Sequence, residues 1–434
     1  MSNRHAAAVI GGAVAGAEIA RALAEAGAYV AVFEQNERPY GKIEDGLPRW
    51  HRALRKAEFG RIKDKLSHPD IDFVPKTKVG RDLSFDQLVG KEGFSLVILA
   101  CGAWRDRSLP VDGAEAFVDR GLRYQNPFII AFNRADAPLG EVVEGAVVIG
   151  GGLASIDVCK VMQLDGVRKK LAELGIDVDI EEMEKAGLPR TLESLDLDMA
   201  QLGLEPATLC YRREAEDMPL LEMPPGADEA RQEKVKRTRV RALDKAMSKF
   251  GFRFQPLCKP EALLGDGKVE GVRFRRLQKN EAGRLVDTDE TFELPTRLVV
   301  SSIGSIPDPI EGVMMKGELF DFSDEPIPRL EGHPHVFAVG NVVTGKGNII
   351  ASRRHASQTA ERLLETFLGL EGDHEDEVEL VDAIEADAKA HARGLVDEAQ
   401  RLSRLSLEAV DSLRSRVRAR QEAVGFSDVS SWLG

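Results

Sequence analysis

The chain alternates short, wholly apolar runs with longer stretches whose apolar residues recur every three or four positions. The first such run, Ala7-Ala8-Val9-Ile10, shows no polar alternation, which is the pattern of a strand buried on both faces. It opens into Gly11-Gly12-Ala13-Val14-Ala15-Gly16 and then into Ala17–Ala26, a segment of strong helix formers ended by Gly27. Tyr29–Phe33 reads as the next strand, closed by Glu34. The same succession returns downstream. Ala146–Ile149 is a buried-strand run, Gly150-Gly151-Gly152-Leu153-Ala154-Ser155 follows, and Ile156–Val161 continues as helix. After an insertion-like helical stretch at about 165–205, Ala207–Tyr211 supplies the second strand. Strand, glycine turn, helix and strand, repeated in one chain, predict an α/β fold with two Rossmann-like dinucleotide-binding domains.

The turn residues carry the chemistry. Gly11 permits the tight turn, Gly16 permits close helix–strand packing, and the helix start presents unpaired N–H groups to a pyrophosphate. Glu34, eighteen residues after Gly16, is placed to accept from ribose hydroxyls. Ala13 stands where the fingerprint has its middle glycine, so its methyl is expected to push a dinucleotide slightly outward. In the second loop Gly150 and Gly152 keep the G-x-G spacing, and the small Ser155 takes the third position. Arg212-Arg213 follows the second strand where Glu34 follows the first, and Glu222 closes the stretch counted with this site. A guanidinium pair binds a 2′-phosphate that a carboxylate would repel. Two loops in one chain imply two nucleotides facing each other, FAD at the first and NADPH at the second. The plainer alternatives are an ordinary βαβ turn and a solvated arginine pair.

Composition narrows the class. The chain has 434 residues, 43% of them hydrophobic, enough for two or three domains. With 59 Lys+Arg against 72 Asp+Glu, the net charge of −13 argues against a nucleic-acid partner. No apolar run reaches the ~18–20 residues of a membrane span, and no charged-then-apolar leader is evident. Cys101, Cys159, Cys210 and Cys258 are scattered singly, which disfavours a disulfide scaffold, a zinc ribbon or a cluster. A cytoplasmic α/β protein without its own metal centre is the expectation. The stretch Glu371–Ala390 holds nine acids against Lys389 and is read as a linker. From residue 376 to about 420, overlapping this stretch, Leu380, Leu395, Leu402, Leu413 and Val417 recur at helical spacing with a slip around 405–410. That spacing predicts an amphipathic helix or interrupted helical hairpin, followed by a short segment carrying exposed aromatics. Such an extension suits an oligomer contact or a tether, the alternative being a helix folded over its own body.

Four further motifs give the chain a family likeness. Tyr40-Gly41-Lys42-Ile43-Glu44-Asp45-Gly46-Leu47-Pro48, the strand Leu96–Ala103, the strand Leu298–Gly304 and the late motif His335–Gly345 occur in order with the two loops. To about residue 370 the sequence resembles the adrenodoxin reductase-like family of ferredoxin–NADP reductases, to which the glutamate synthase small subunit is closely related. The resemblance implies an FAD-binding domain built from 1–104 and 297–370, an NADPH-binding domain at 105–296, and an extension at 371–434. It places Gly41, Gly46, Gly102, Gly304, Gly340, Asn341, Asn348 and Ile349 with the cofactors. Asn341 departs from the Asp or Trp of relatives, and the redox-active cysteine pair of thioredoxin and glutathione reductases is missing. By the same likeness, hydride passes from NADPH to the flavin and electrons leave singly to a ferredoxin-like iron–sulfur protein. A subunit feeding a larger redox complex is a second reading, and a non-catalytic flavoprotein scaffold a third. His51 and Asp157 match positions near the flavin and suit a proton relay; otherwise they are a surface histidine and a first-turn acid. The segment Arg231–Arg241, with six basic residues and one acid, resembles a docking patch for an acidic ferredoxin, or else is a solvated helix face.

Overall fold

A computed structural model describes residues 3–90, 93–134, 144–224, 226–344, 364–370 and 378–434. The first apolar run becomes the strand Ala6–Ile10, at the centre of a six-stranded sheet. Its neighbours are Leu96–Leu99 on one side and Tyr29–Phe33 on the other, both parallel. Ile71–Val74 extends the sheet beyond Tyr29–Phe33; His333–Ala338 extends it beyond Leu96–Leu99, with the antiparallel Arg329–Leu330 at that edge. Because side chains alternate along a strand, Ala6, Ala8 and Ile10 feed one core while Ala7 and Val9 feed another. The helices Val14–Glu25 and Arg52–Leu66 lie on the second of these faces.

The second run becomes the strand Val147–Gly150 of a five-stranded parallel sheet. The order is Leu122–Tyr124, Val299–Ser302, Val147–Gly150, Thr208–Cys210, Arg253–Gln255. The helices Leu153–Glu173 and Glu229–Phe250 pack against it, and an antiparallel sheet of Cys258–Leu264, Gly271–Lys279 and Leu285–Pro295 adjoins. The chain passes between the two parts through a ribbon in which Arg105–Asp106 pairs with Ser305–Ile306. This corrects the return expected at 297. Val299–Ser302 is buried throughout and finds both of its neighbours in the second sheet, so the crossing back comes after Ser302.

The extension also differs from expectation. The stretch read as a linker is helical from Val378, in Val378–Ala399, and residues 371–377 lie outside the described part. Its acids have a partner surface: Asp382 and Glu385 pair with Arg61 at 2.5 and 2.7 Å, and Glu385 reaches Lys65 at 2.9 Å. Ala392, Leu395 and Ala399 join the core containing Ala7 and Val9. After a break, Leu407–Ala423 crosses to the opposite face, where Val410, Leu413 and Val417 pack with Ala31 and Val74. The interrupted hairpin is therefore folded over its own body, covering both faces of the first sheet. Phe426 and Trp432, expected to be exposed, pack on each other at 5.6 Å beside the core containing Ala7 and Val9.

Candidate nucleotide-binding sites

The strands Ala6–Ile10 and Leu96–Leu99 are adjacent, but the connections leaving their carboxyl ends diverge, which opens a crevice at the switch point of the sheet. Gly11 sits at φ +101°, and a Cβ there would lie 2.5 Å from the Ala100 carbonyl oxygen. A Cβ on Gly16 would come within 1.9 Å of the Gly11 carbonyl oxygen, so neither position tolerates a side chain. The helix Val14–Glu25 starts after Ala13 without a side-chain cap. The crevice, open to solvent, is lined by Gly11, Ala13, Glu34, Gly41 and Gly102 from the expected set. The Ala13 methyl points to the space that Gly41 leaves free, where a Cβ would meet it at 2.9 Å. Gly340 approaches Ala15 of the same loop, which brings the start of the late motif and Asn341 to this end of the sheet. Gly46 instead ends the short helix Gly41–Asp45, and Gly304 lies at the crossing ribbon, where its carbonyl accepts from Arg107 N–H. Both stand off the crevice wall. Asn348 and Ile349 lie outside the described residues.

Glu34 is 5% exposed. Gly12 N–H donates to its Oε2 at 3.0 Å and Asn36 N–H to its Oε1 at 2.9 Å. Burial pushes its carboxyl above the usual range, while these N–H donors pull it back. The acid thus anchors the glycine loop and the loop after its own strand, and it faces the crevice.

Several residues of this site were not singled out from sequence. Thr77, Lys78, Trp104 and Asp308 line the crevice, with Lys78 Nζ 3.2 Å from Asp308 Oδ2. Lys42 donates to Ser305 Oγ at 3.2 Å and lies 5.7 Å from the Trp104 ring centre. Burial pushes its ammonium down to about 8, opposed by Asp106. Burial pushes Asp106 up to about 6, opposed by the Asn126 N–H that donates to it at 3.2 Å. A lone lysine or aspartate in a sequence reads as solvated; only the crossing ribbon buries these two together. Because the folded protein holds the Asp106 proton more tightly than the unfolded chain, Asp106 lowers stability as pH rises from about 4 to about 6. Asp106→Asn is therefore expected to melt higher than the wild type above pH ~6, with the two curves converging below pH ~4. A pH series of thermal melts checks this, and parallel curves at every pH would refute it.

In the second loop Gly152 is the N-cap of the helix Leu153–Glu173, and the space beside it is open where a Cβ would stand. Ser155 is fully buried, and its hydroxyl donates to the Gly152 carbonyl at 2.6 Å, which fixes the turn. The strand register refines the expected correspondence between the sites. Ile10 pairs with Phe33 and Ile149 with Cys210, so the register counterpart of Glu34 is Tyr211, and the arginines stand one and two places beyond it. The Tyr211 ring lies against Gly151, 2.1 Å from where a Cβ would be, while Arg212 and Arg213 are exposed next to the loop. Glu222 is exposed in the connection leading to Glu229–Phe250.

His51, expected as a relay or a surface group, is fully buried and stacks on Phe367 at 4.9 Å. Asp157 is 3% exposed, 3.9 Å from the Lys160 ammonium. Lys160 is itself 4.9 Å from the ring of Trp50, the residue before His51. The fold thus brings Asp157 and Trp50, the chain neighbour of His51, to one buried lysine where the two parts of the chain meet. The basic segment is only partly free. Arg239 donates to the carbonyls of Glu216 and Leu221, Lys236 pairs with Glu216 and Glu233, and Arg241 lies 3.6 Å from Glu365. Arg239 is a strut for the loop before its helix, while Arg237 is exposed.

Cys101 borders the crevice, but burial pushes its thiol up to about 12, and all four cysteines are free. Among the described residues no group of His, Cys, Asp and Glu is placed to hold a metal ion, and no helix is long and apolar enough to cross a membrane.

The chain is 31% identical over 180 residues to the glutamate synthase [NADPH] small chain of Bacillus subtilis, covering 39% of this chain and 34% of that one. It is 27% identical over 375 residues to YgfK of Escherichia coli, named as an oxidoreductase, covering 83% of this chain and 29% of that one. The chain thus spans about a third of the length of these curated relatives. Among solved structures it is similar to Mycobacterium tuberculosis FprA in complex with NADPH, with TM-score 0.65 and 19% identity over 96% of this chain and 91% of that one. At that identity the likeness is one of fold. The sequence profile of the pyridine nucleotide-disulphide oxidoreductases matches residues 5–360. The chain belongs to the pyridine nucleotide-disulphide oxidoreductase family.

Proposed function

We propose that the protein is an FAD-dependent oxidoreductase that takes reducing equivalents from NADPH and passes them to a ferredoxin-like iron–sulfur protein. The observation that carries this reading is the pair of glycine loops, one served by a buried carboxylate and the other by two exposed arginines. The residues present fit such ligands: Gly11 and Gly16 leave backbone where side chains would clash, and Gly152 leaves open space at a helix start. When bound, NADPH would supply the hydride, and FAD would accept it and give up its two electrons one at a time. The chain's part is to hold and orient. Glu34 accepts from ribose hydroxyls in the first crevice, and the N–H groups at the start of Val14–Glu25 face a pyrophosphate. Arg212 and Arg213 hold a 2′-phosphate, and Lys42 sets a positive charge at the passage between the sites. Four free cysteines suit a reducing cytoplasm.

The test is the visible spectrum of the purified protein with each nucleotide under anaerobic conditions. Flavin bands bleached by NADPH and slowly by NADH support the reading, and a colourless protein refutes it. The double variant R212E/R213E is expected to raise KM for NADPH by about 10–100-fold while leaving KM for NADH nearly unchanged, the loss of one charge-assisted hydrogen bond or more. Equal losses with both nucleotides would remove the phosphate role.

A second reading, a subunit of a larger redox assembly, is favoured by the small-chain relatives and by YgfK, of which this chain matches only a portion. Co-purification with a large subunit separates the two. For docking, Arg237→Glu tests an exposed position, whereas reversal at Arg239 would also release the loop it braces.

A further inference from the structure

The segment Gly425–Gly434, outside the family likeness, ends against the loops that form one wall of the first crevice. Trp432 Nε1–H donates to the Glu37 carbonyl at 2.8 Å. Lys76 Nζ lies 2.9 Å from Glu37 Oε1 and 5.0 Å from the Trp432 ring centre, so the indole sits across the pair. Behind it, Phe426 packs edge-on against Phe73 at 5.7 Å, and Gln421 Nε2–H donates to the Phe73 carbonyl at 2.8 Å. Lys63 Nζ donates to the Gly434 carbonyl at 2.8 Å, and Asp428 caps the last turn through Ser431 N–H.

Glu37 and Lys76 adjoin crevice residues. Asn36 and Thr77 line it, Lys76 N–H donates to the Asn36 carbonyl at 3.0 Å, and Thr77 N–H donates to the Glu34 carbonyl at 2.8 Å. Lys76 is held at φ +53°, a conformation that costs a non-glycine residue about 1 kcal/mol or more and persists where neighbours enforce it. Trp432 contacts both loops at the two residues that bracket this turn.

We infer that Trp432 is a positioning residue for the first nucleotide site: it pins the Glu34–Glu37 and Lys76–Lys78 loops in the geometry that holds the adenosine end of FAD. This rests on the assignment of FAD to the first crevice. Without the indole, the two loops keep their own hydrogen bonds but lose the brace that joins them to the body of the sheet. FAD then leaves faster while the second site is untouched.

The experiment uses the full chain carrying its flavin. Release of FAD on dilution is followed by flavin fluorescence for the wild type, W432F and W432A, and NADPH binding is titrated in parallel. For W432A the FAD dissociation rate is expected to rise about tenfold with NADPH affinity unchanged; W432F, which keeps a ring but loses the bond to Glu37, falls between. Wild-type and W432A rates within twofold of each other would overturn the inference. So would a W432A protein that loses NADPH affinity by the same factor, since that marks a global loss of stability. A wild-type protein that takes up no FAD overturns the cofactor assignment and this inference with it; equal rates in flavin-loaded protein overturn this inference alone.

Discussion

Replacing Leu395 and Leu413 by alanine together is expected to leave little folded protein. The two leucines are buried under different faces of the first sheet, Leu395 with Ala7 and Val9 and Leu413 with Ala8 and Ile10. Each Leu→Ala change in such a site costs about 2–5 kcal/mol, from lost transfer energy and the cavity left behind. Separated by the sheet, the two losses should add to about 4–10 kcal/mol. That is comparable to the ~5–15 kcal/mol by which proteins are stable. Urea unfolding followed by circular dichroism measures the effect, with the single variants bracketing the double. If the extension served only to join copies of the chain, the variants would instead alter mass in solution and leave the urea midpoint unchanged. Deletion from residue 378 onward should be more severe, since it strips both faces of the sheet that carries the first glycine loop.

Glu184→Ala should cost about 3–5 kcal/mol, the usual penalty for leaving a buried charge without its partner. Lys160 and Glu184 both have fully buried side chains, with Nζ and Oε1 2.6 Å apart. The ammonium also donates to the Leu368 carbonyl at 3.0 Å and lies between the rings of Trp50 and Phe250 at 4.9 and 4.7 Å. These aromatic faces and the more distant Asp157 offset part of its desolvation, not the loss of a whole carboxylate. The double replacement Lys160→Met with Glu184→Leu removes both charges, and it is expected to recover most of the loss. Thermal melts of the two singles and the double form the cycle that measures the pair. A Glu184→Ala protein within 1 kcal/mol of the wild type by the same order-of-magnitude scale would show that the pair is dispensable. Trp50 and His51 come from the first part of the chain and Asp157 and Lys160 from the second, so this cluster ties the two parts together.

The two glycine loops were legible because their requirements are local. A turn that places a carbonyl 1.9 Å from a hypothetical Cβ, as at Gly16, admits only glycine whatever surrounds it. The buried parallel strands were legible for a like reason, since unbroken apolar runs have no other stable place. Glu34 could be found by counting from the turn. The correspondence of Arg212 with Glu34 was one place off, because the register of Thr208–Cys210 against Val147–Gly150 is set by pairing that no local pattern records.

The chain's own pattern thus determined the two sheets, the two loops and the residue types that stand beside them, because each depends on contacts within a few tens of residues. Tertiary structure decided the rest. It placed Val299–Ser302 in the second sheet, buried His51, lowered the Lys42 ammonium by closing the crossing ribbon over it, and laid the extension over both faces of the first sheet. An amphipathic helix declares that it must cover something, yet its sequence does not say what. Here the answer lay more than 300 residues away, with Arg414 reaching Asp72 across 342 positions of chain.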